Sequence, residues 1–519
     1  MVFSREIITT KQKRKWSKES SIKRHDLNNF ESKIDYKYTL EQNKKKKTSY
    51  LLETFFFFPK SLQINKDTYS REHFFSDLSD RIRFKTPQMS LERILDEKNA
   101  LSPLNVIISK LDQIQERYSD PSIIRTITRE LRLLACIVKT SLRDANRFII
   151  DNYQSINKKD ELIEYLKKEI ACMQDLKEKI MFIGKKVVNT QIPLELRESY
   201  QYSDEYISLQ IEKCLINTLA NFDKLLAQEM KDLMIKTIES EQEYRVSINS
   251  RLVVTEGSTN EDFSYMEGIV KKYLQGALYL KKKKKDPRSS SLQVFYSVAA
   301  GFAIFISLFL GFLILTNFEV NSLPFILGTV VIYVLKDRIK DIIKGYSQKA
   351  ASFLFPDQRI DIIDGFYEEK IGESMEKVYF IDKEKIPPEI FKIRQSSNIY
   401  SIEIEGKPEE CIIFRKKIVL FKKKIDELHT RRKDISNITR FNIKNFLRYT
   451  DDSSKNVLSW NNKTHQLSPI DVSKVYHMNI VMKLTTFHEK NEINTYYKKY
   501  RIIINQQGIK KVIEPEFSF

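Results

Sequence analysis

The chain has 519 residues, with 88 Lys and Arg against 69 Asp and Glu, and so carries a formal net charge of +19. Only 12 Gly and 13 Pro exclude a collagen-like or low-complexity chain, and 32 Phe with 25 Tyr offer too much apolar surface for global disorder. Its 4 scattered Cys exclude a disulfide scaffold and point to a reducing compartment.

Residues 1–50 hold 14 Lys and Arg and 6 Asp and Glu, including the runs Lys11 to Trp16 and Lys44 to Lys47. Residues 1–49 read as a basic tail, solvated and poorly ordered. Anionic lipid or nucleic acid would also suit it, but no nucleic-acid recognition motif accompanies the charge, so nucleic acid is the less favoured partner. The first residues lack the apolar stretch of a secretory signal. From Tyr50 the chain becomes aromatic. Phe55 to Phe58 are too few to span a bilayer and read as a buried strand ended by Pro59. With Tyr69, Phe74, Phe75, Ile82 and Phe84 they make residues 50–89 a small mixed unit.

Residues 90–288 read as a cytoplasmic helical domain, a bundle or antiparallel coiled coil. Ser102 and Asp120 each precede a Pro, the pattern of an N-cap followed by Pro at the first helical position. Thr259 to Asp262 resembles a capping box. One long helix is predicted from Ser203, with Ile207, Ile211, Leu215, Leu219, Phe222, Leu226, Met230, Leu233 and Ile238 on its apolar face. The helix after Thr259 is predicted to run into Lys281 to Lys285.

Ser289 to Phe318 contains no charged residue. As a helix, Leu292 to Leu315 spans about 36 Å, enough for a hydrocarbon core of about 30 Å. A second uncharged run, Val320 to Leu335, covers only about 24 Å. Basic residues flank the pair: Lys281, Lys282, Lys283, Lys284, Lys285 and Arg288 before it, Lys336, Arg338, Lys340 and Lys344 after it. The connection Asn317 to Ser322 has none. The positive-inside bias then predicts a transmembrane hairpin over 289–336, with spans at about 292–315 and 320–335, basic flanks against anionic head groups and both termini cytoplasmic. Ala299, Ala303, Ser307 and Gly311 form a small-residue stripe on the first span, suited to packing within the hairpin or to homo-oligomerisation. Residues 337–356 read as an amphipathic juxtamembrane helix ending near Pro356.

Beyond it the period changes from helical to twofold, and residues 357–519 read as a cytoplasmic β-rich α+β domain. Tyr400, Ile402 and Ile404 alternate with polar residues before a turn at Glu405 to Pro408. Tyr476, Met478, Ile480, Met482 and Leu484 line one strand face, and Lys499 to Glu514 reads as a hairpin turning at Gln507-Gly508. Some helix is expected near Lys422 to Arg432.

Three segments carry a resemblance. FFFFPKSLQINKDTYSREHFFSDLSDRIRFKTP, LPF…YVLKDRIKDIIK and RFNIKNFLRYTDD…VYHMNIVMKL…YRIIINQQGIKKV together resemble an uncharacterised family of bacterial two-span membrane proteins. The resemblance implies a bacterial cytoplasmic membrane and carries no activity, cofactor or site residue.

Recognisable chemistry is nearly absent. Neither phosphate-cradling glycine loop is present, nor H-E-x-x-H, nor a G-x-S-x-G elbow. Cys136, Cys172, Cys214 and Cys411 are too far apart in sequence for an evident zinc site, and Cys136 and Cys214 read as buried helix residues. Asp357, Asp361 and Asp364 form the best carboxylate cluster, with Asp361 and Asp364 sharing a face only in a helix. His477 and Asn479 share a strand face. Neither group justifies a catalytic, cofactor or metal site, and no cofactor is implied. The expected architecture is a mainly α membrane protein: an N-terminal helical bundle, a transmembrane helical hairpin and a C-terminal β-rich α+β domain. The expected function is a membrane-tethered interaction or scaffold protein, leaning away from an enzyme, with the lipid bilayer and a protein partner or second copy as its contacts. An oligomeric channel, or an enzyme with dispersed residues, is the alternative.

Overall fold

Phe55 to Phe58 lie at the centre of the molecule. In the computed structural model they belong to β3 (Thr48–Pro59), where Phe56 and Phe58 enter one core and Phe55 and Phe57 another. A strand buried on both faces uses an unbroken apolar run instead of alternation, which accounts for four phenylalanines in a row. The structure describes residues 21–37, 47–116, 120–153, 159–188, 193–222, 226, 228–285, 287–320, 322–396, 409–431, 434–462, 465–487 and 493–515.

β3 is an inner strand of an eight-stranded antiparallel sheet. In spatial order this runs β14 (Gly508–Ile513), β13 (Ile493–Asn505), β12 (Tyr476–Phe487), β3, β8 (Glu409–Leu420), β7 (Lys370–Ile381), β6 (Gln358–Ile363) and β5 (Lys281–Lys285). A four-stranded sheet, β1 (Ser21–Arg24), β2 (Asn29–Lys37), β9 (Asp434–Asn442) and β4 (Leu78–Phe84), joined in the order β1-β2-β9-β4, packs on one face. Phe56 meets Phe441 across that interface with ring centroids 5.5 Å apart. The other face is covered by α11 (Pro388–Gln395) through Ile390 and Ile393. Between the sheets Lys416 is buried, 3.0 Å from Glu376 and bonded to Asp80. Burial works against its charge, but the two carboxylates outweigh that and raise its pKa above the ordinary lysine value.

The helical layer comprises α2 (Leu91–Leu95), α3 (Pro103–Glu116), α4 (Pro121–Tyr153), α5 (Lys159–Val188), α6 (Leu194–Phe222), α7 (Gln228–Ser247) and α8 (Glu261–Gln275), while α1 (Arg71–Asp77) lies beside β4. Its apolar residues are continuous with the core between the sheets. Pro103 and Pro121 do open helices, and Asp120 accepts the Ser122 amide at 2.8 Å. The long helix predicted from Ser203 is instead two, α6 and α7. Charge is buried among them: Lys177 lies 2.9 Å from Asp204, and Arg245 is bonded to Glu212. The capping box does not form, since α8 starts at Glu261 after Asn260.

Several expectations are corrected. Among the described residues 52% are in helices and 29% in strands, with an eight-stranded sheet, so the protein is not mainly α. Nor are the helical and β-rich parts successive domains, because β2 to β5 precede the apolar helices and pair with strands that follow them. Residues 21–37, read as tail, form β1 and β2; Phe30, Ile34 and Tyr36 are buried there at alternate positions. Residues 50–89 supply β3 and β4 to the two sheets and are not a separate unit. Residues 1–20 and the segment 400–408 lie outside the described residues. The hairpin at Gln507-Gly508 is present, and Gly508 takes a φ of 124°, where a Cβ would fall 2.2 Å from the Leu27 carbonyl oxygen. A short helix, Lys422–Leu428, follows β8.

Candidate functional site

Two apolar helices leave the sheet between β5 and β6: α9 (Pro287–Asn317) and α10 (Leu323–Leu354), packed against one another. Among the described residues only one segment, Tyr296–Asn317 of α9, is long and apolar enough to cross a membrane, and 11% of its apolar window is buried. Val298, Phe302, Phe305, Leu308 and Phe312 all face outward. The hairpin of two spans is therefore corrected. α10 loses its apolar character after Leu335, about 18 Å from its start at Leu323, where Lys336, Asp337 and Arg338 follow. Its remaining turns carry Lys340 and Lys344 and make residues 337–354 part of α10 instead of a separate surface helix. Of the small-residue stripe, Ala299 and Ala303 are buried and Ser307 and Gly311 are half-buried. On α10, a Cβ at Gly328 would fall 2.6 Å from Ile314 of α9, so the two helices approach closely there.

The lysine run is not a helix end. Lys281 to Lys285 form β5, an edge strand of the large sheet. Lys281 pairs with Glu368 at 2.9 Å, Lys285 with Asp361 at 2.6 Å, and Lys282 turns inward to Asp80 at 3.3 Å. Lys283 and Lys284 are exposed. Arg288 falls in the first turn of α9. A separate hairpin, β10 (Ser454–Asn461) with β11 (Gln466–Ser473), forms its own two-stranded sheet and exposes Leu458, Trp460, Leu467 and Ile470.

The sequence-derived polar candidates are dispersed. Asp361 sits in β6, not in a helix, and Lys285 and Lys370 pair with it at 2.6 and 2.7 Å. Asp357 accepts the Val378 amide at 2.7 Å. His477 and Asn479 share a face of β12, and Asn479 is fully buried opposite Arg501. Burial pushes the Cys214 thiol up to about 12, so it is no nucleophile near neutrality. Among the described residues no group of three or more His, Cys, Asp and Glu is placed to hold a metal ion.

Asp364 belongs to a site that spacing did not reveal. It follows β6, and its Oδ1 accepts the amides of Phe366 and Tyr367 at 2.8 and 2.9 Å, while Oδ2 lies 2.7 Å from His429 Nε2. Burial would raise its pKa, but His429 and the two amides prevail and hold it at about 2. The resulting turn presents Phe366 and Tyr367 to α4, forming one wall of a cleft of about 570 Å³. The opposite wall is Arg125, Thr128, Arg129 and Arg132, whose i, i+3, i+4 and i+7 spacing places them on one helical face. Arg129 stacks over Phe366 at 4.3 Å, donates to Tyr367 Oη at 3.1 Å and pairs with Glu130 at 3.0 Å. The same Glu130 carboxylate also holds Arg431. Arg132 donates through Nε (3.0 Å) and Nη2 (2.5 Å) to the Tyr273 carbonyl. Burial lowers its pKa. It passes so close to Gly276 that a Cβ there would fall 2.3 Å from Nη2. The arginine spacing was visible in the sequence; the turn from another part of the chain that completes the cleft was not. Comparisons with protein families, with curated proteins and with solved structures return no match to the chain.

Proposed function

We propose that the protein is a membrane-anchored interaction protein of the bacterial cytoplasmic membrane, held by α9, which enters the bilayer from the cytoplasmic side and is brought back to that side by α10, so that the sheets and the helical layer stay together there. The observation that carries this reading is α9 itself. It is an apolar helix in the middle of the chain with only 11% of its most apolar window buried, unlike the core helix of a soluble protein. β5 and β6, which precede and follow the arm, are hydrogen-bonded neighbours, so both ends of the arm meet the same body. The cationic residues of α10, Lys336, Arg338, Lys340 and Lys344, suit anionic head groups on that side. Interaction with a protein partner is supported by the β10–β11 hairpin, where Trp460 and Leu467 pair across the strands and are both exposed.

The test is membrane flotation of the full chain expressed in bacteria. The wild type is expected to float with lipid after carbonate washing. Phe305→Lys with Leu308→Lys, each costing about 2.5–3.5 kcal/mol at a bilayer centre, is expected to release it. A double variant that still floats, or a wild type extracted by carbonate, defeats the anchoring reading.

A further inference from the structure

The cleft carries more positive charge than the protein balances. Glu130 is one carboxylate shared by two guanidiniums, Arg129 and Arg431. Among the described residues neither Arg125 nor Arg132 has a carboxylate at ion-pair distance, and Arg132 gives its bonds to a neutral carbonyl. Thr128, 4% exposed on the same wall, has a hydroxyl with no hydrogen-bond partner. Guanidiniums held on one rigid helix face offer paired donors that match phosphate oxygens. Three carboxylates line the cleft against four cationic side chains (Arg125, Arg129, Arg132 and Lys281): Glu368 pairs with Lys281 at 2.9 Å, Asp364 is held by His429, and Glu195 acts on Arg132 from beyond ion-pair distance.

We infer that this cleft binds a phosphorylated small molecule, with its phosphate oxygens on the guanidiniums of Arg125 and Arg132. Phospholipid head groups share that chemistry, but the cleft opens beside Lys281, the end of β5 remote from α9. That end lies about 13 Å along the strand from Lys285, which favours a soluble ligand.

The experiment is calorimetric titration of the full chain, in nanodiscs of neutral lipid, with inorganic pyrophosphate. Saturable binding is expected, weakened about tenfold by Arg132→Gln and several-fold by Arg125→Gln, with Arg132→Lys recovering part of the loss. Arg125 is exposed, so its variant is expected to unfold at the wild-type temperature; this separates lost binding from lost folding. The absence of saturable heat at millimolar pyrophosphate overturns the proposal, as does binding that both Gln variants leave intact. Nanodiscs containing phosphatidic acid distinguish the two phosphate sources. Unchanged pyrophosphate affinity supports a soluble ligand, whereas competitive loss of binding assigns the cleft to a head group and overturns that choice.

Discussion

Asp364 shows how one side chain ties distant segments together. Its carboxylate organises the turn after β6 and meets His429, 65 residues away, with side-chain exposures of 2% and 3% on the two partners. Its folded pKa of about 2 lies below the ordinary 3.8, so the ionised form contributes stability that is complete above pH 3.8 and is lost as pH falls through 2. The full contribution is about 2 kcal/mol. Asp364→Asn is expected to cost about that much at pH 6, with the gap to wild type closing between pH 4 and 2 in denaturant unfolding followed by circular dichroism. A gap that stays constant over that window would show that the residue acts only through neutral hydrogen bonds.

Among the elements, β5 departs furthest from what its sequence implies. Five consecutive lysines have no apolar periodicity and sit just before an uncharged run, so they read as a membrane flank. What makes them a strand is pairing with β6, whose Ile360 and Ile362 are buried and whose Asp361 lies between them. Lysine on an edge strand also blocks pairing with another chain. Lys283→Val with Lys284→Val is expected to promote self-association, measured by light scattering of the detergent-solubilised protein, without changing its unfolding temperature. The same contrast governs what was legible elsewhere. α9, β3 and β12 were readable because continuous or alternating apolar runs report burial directly. β2 was hidden inside a basic region, although Phe30, Ile34 and Tyr36 alternate there. The break between α6 and α7 was masked because the apolar stripe continues through it. The cleft could not be read at all, because its walls are joined only by tertiary packing of α4 against the turn after β6.

On the scale of the whole molecule, the sheet erases the boundary that the apolar helices seemed to draw. β3 lies between β8 and β12, with its full length paired to β8, and Glu53 meets Arg415 at 2.7 Å. Residues 357–519 expressed alone would leave β8 and β12 with no strand between them and expose Ile413, Phe414 and Val481. That fragment is expected to be aggregated or unfolded by nuclear magnetic resonance; a dispersed spectrum would show that β3 is dispensable. Order of synthesis follows from the same pairing. Glu53 leaves the ribosome 362 residues ahead of Arg415. At about 5–20 residues per second the delay is about 20–70 s. During it an aromatic strand waits with both edges open, while α9 emerges in between. β3 is therefore exposed in nascent chains of this protein until β8 and β12 emerge, and all of α9 leaves the ribosome before the sheet can close around that strand.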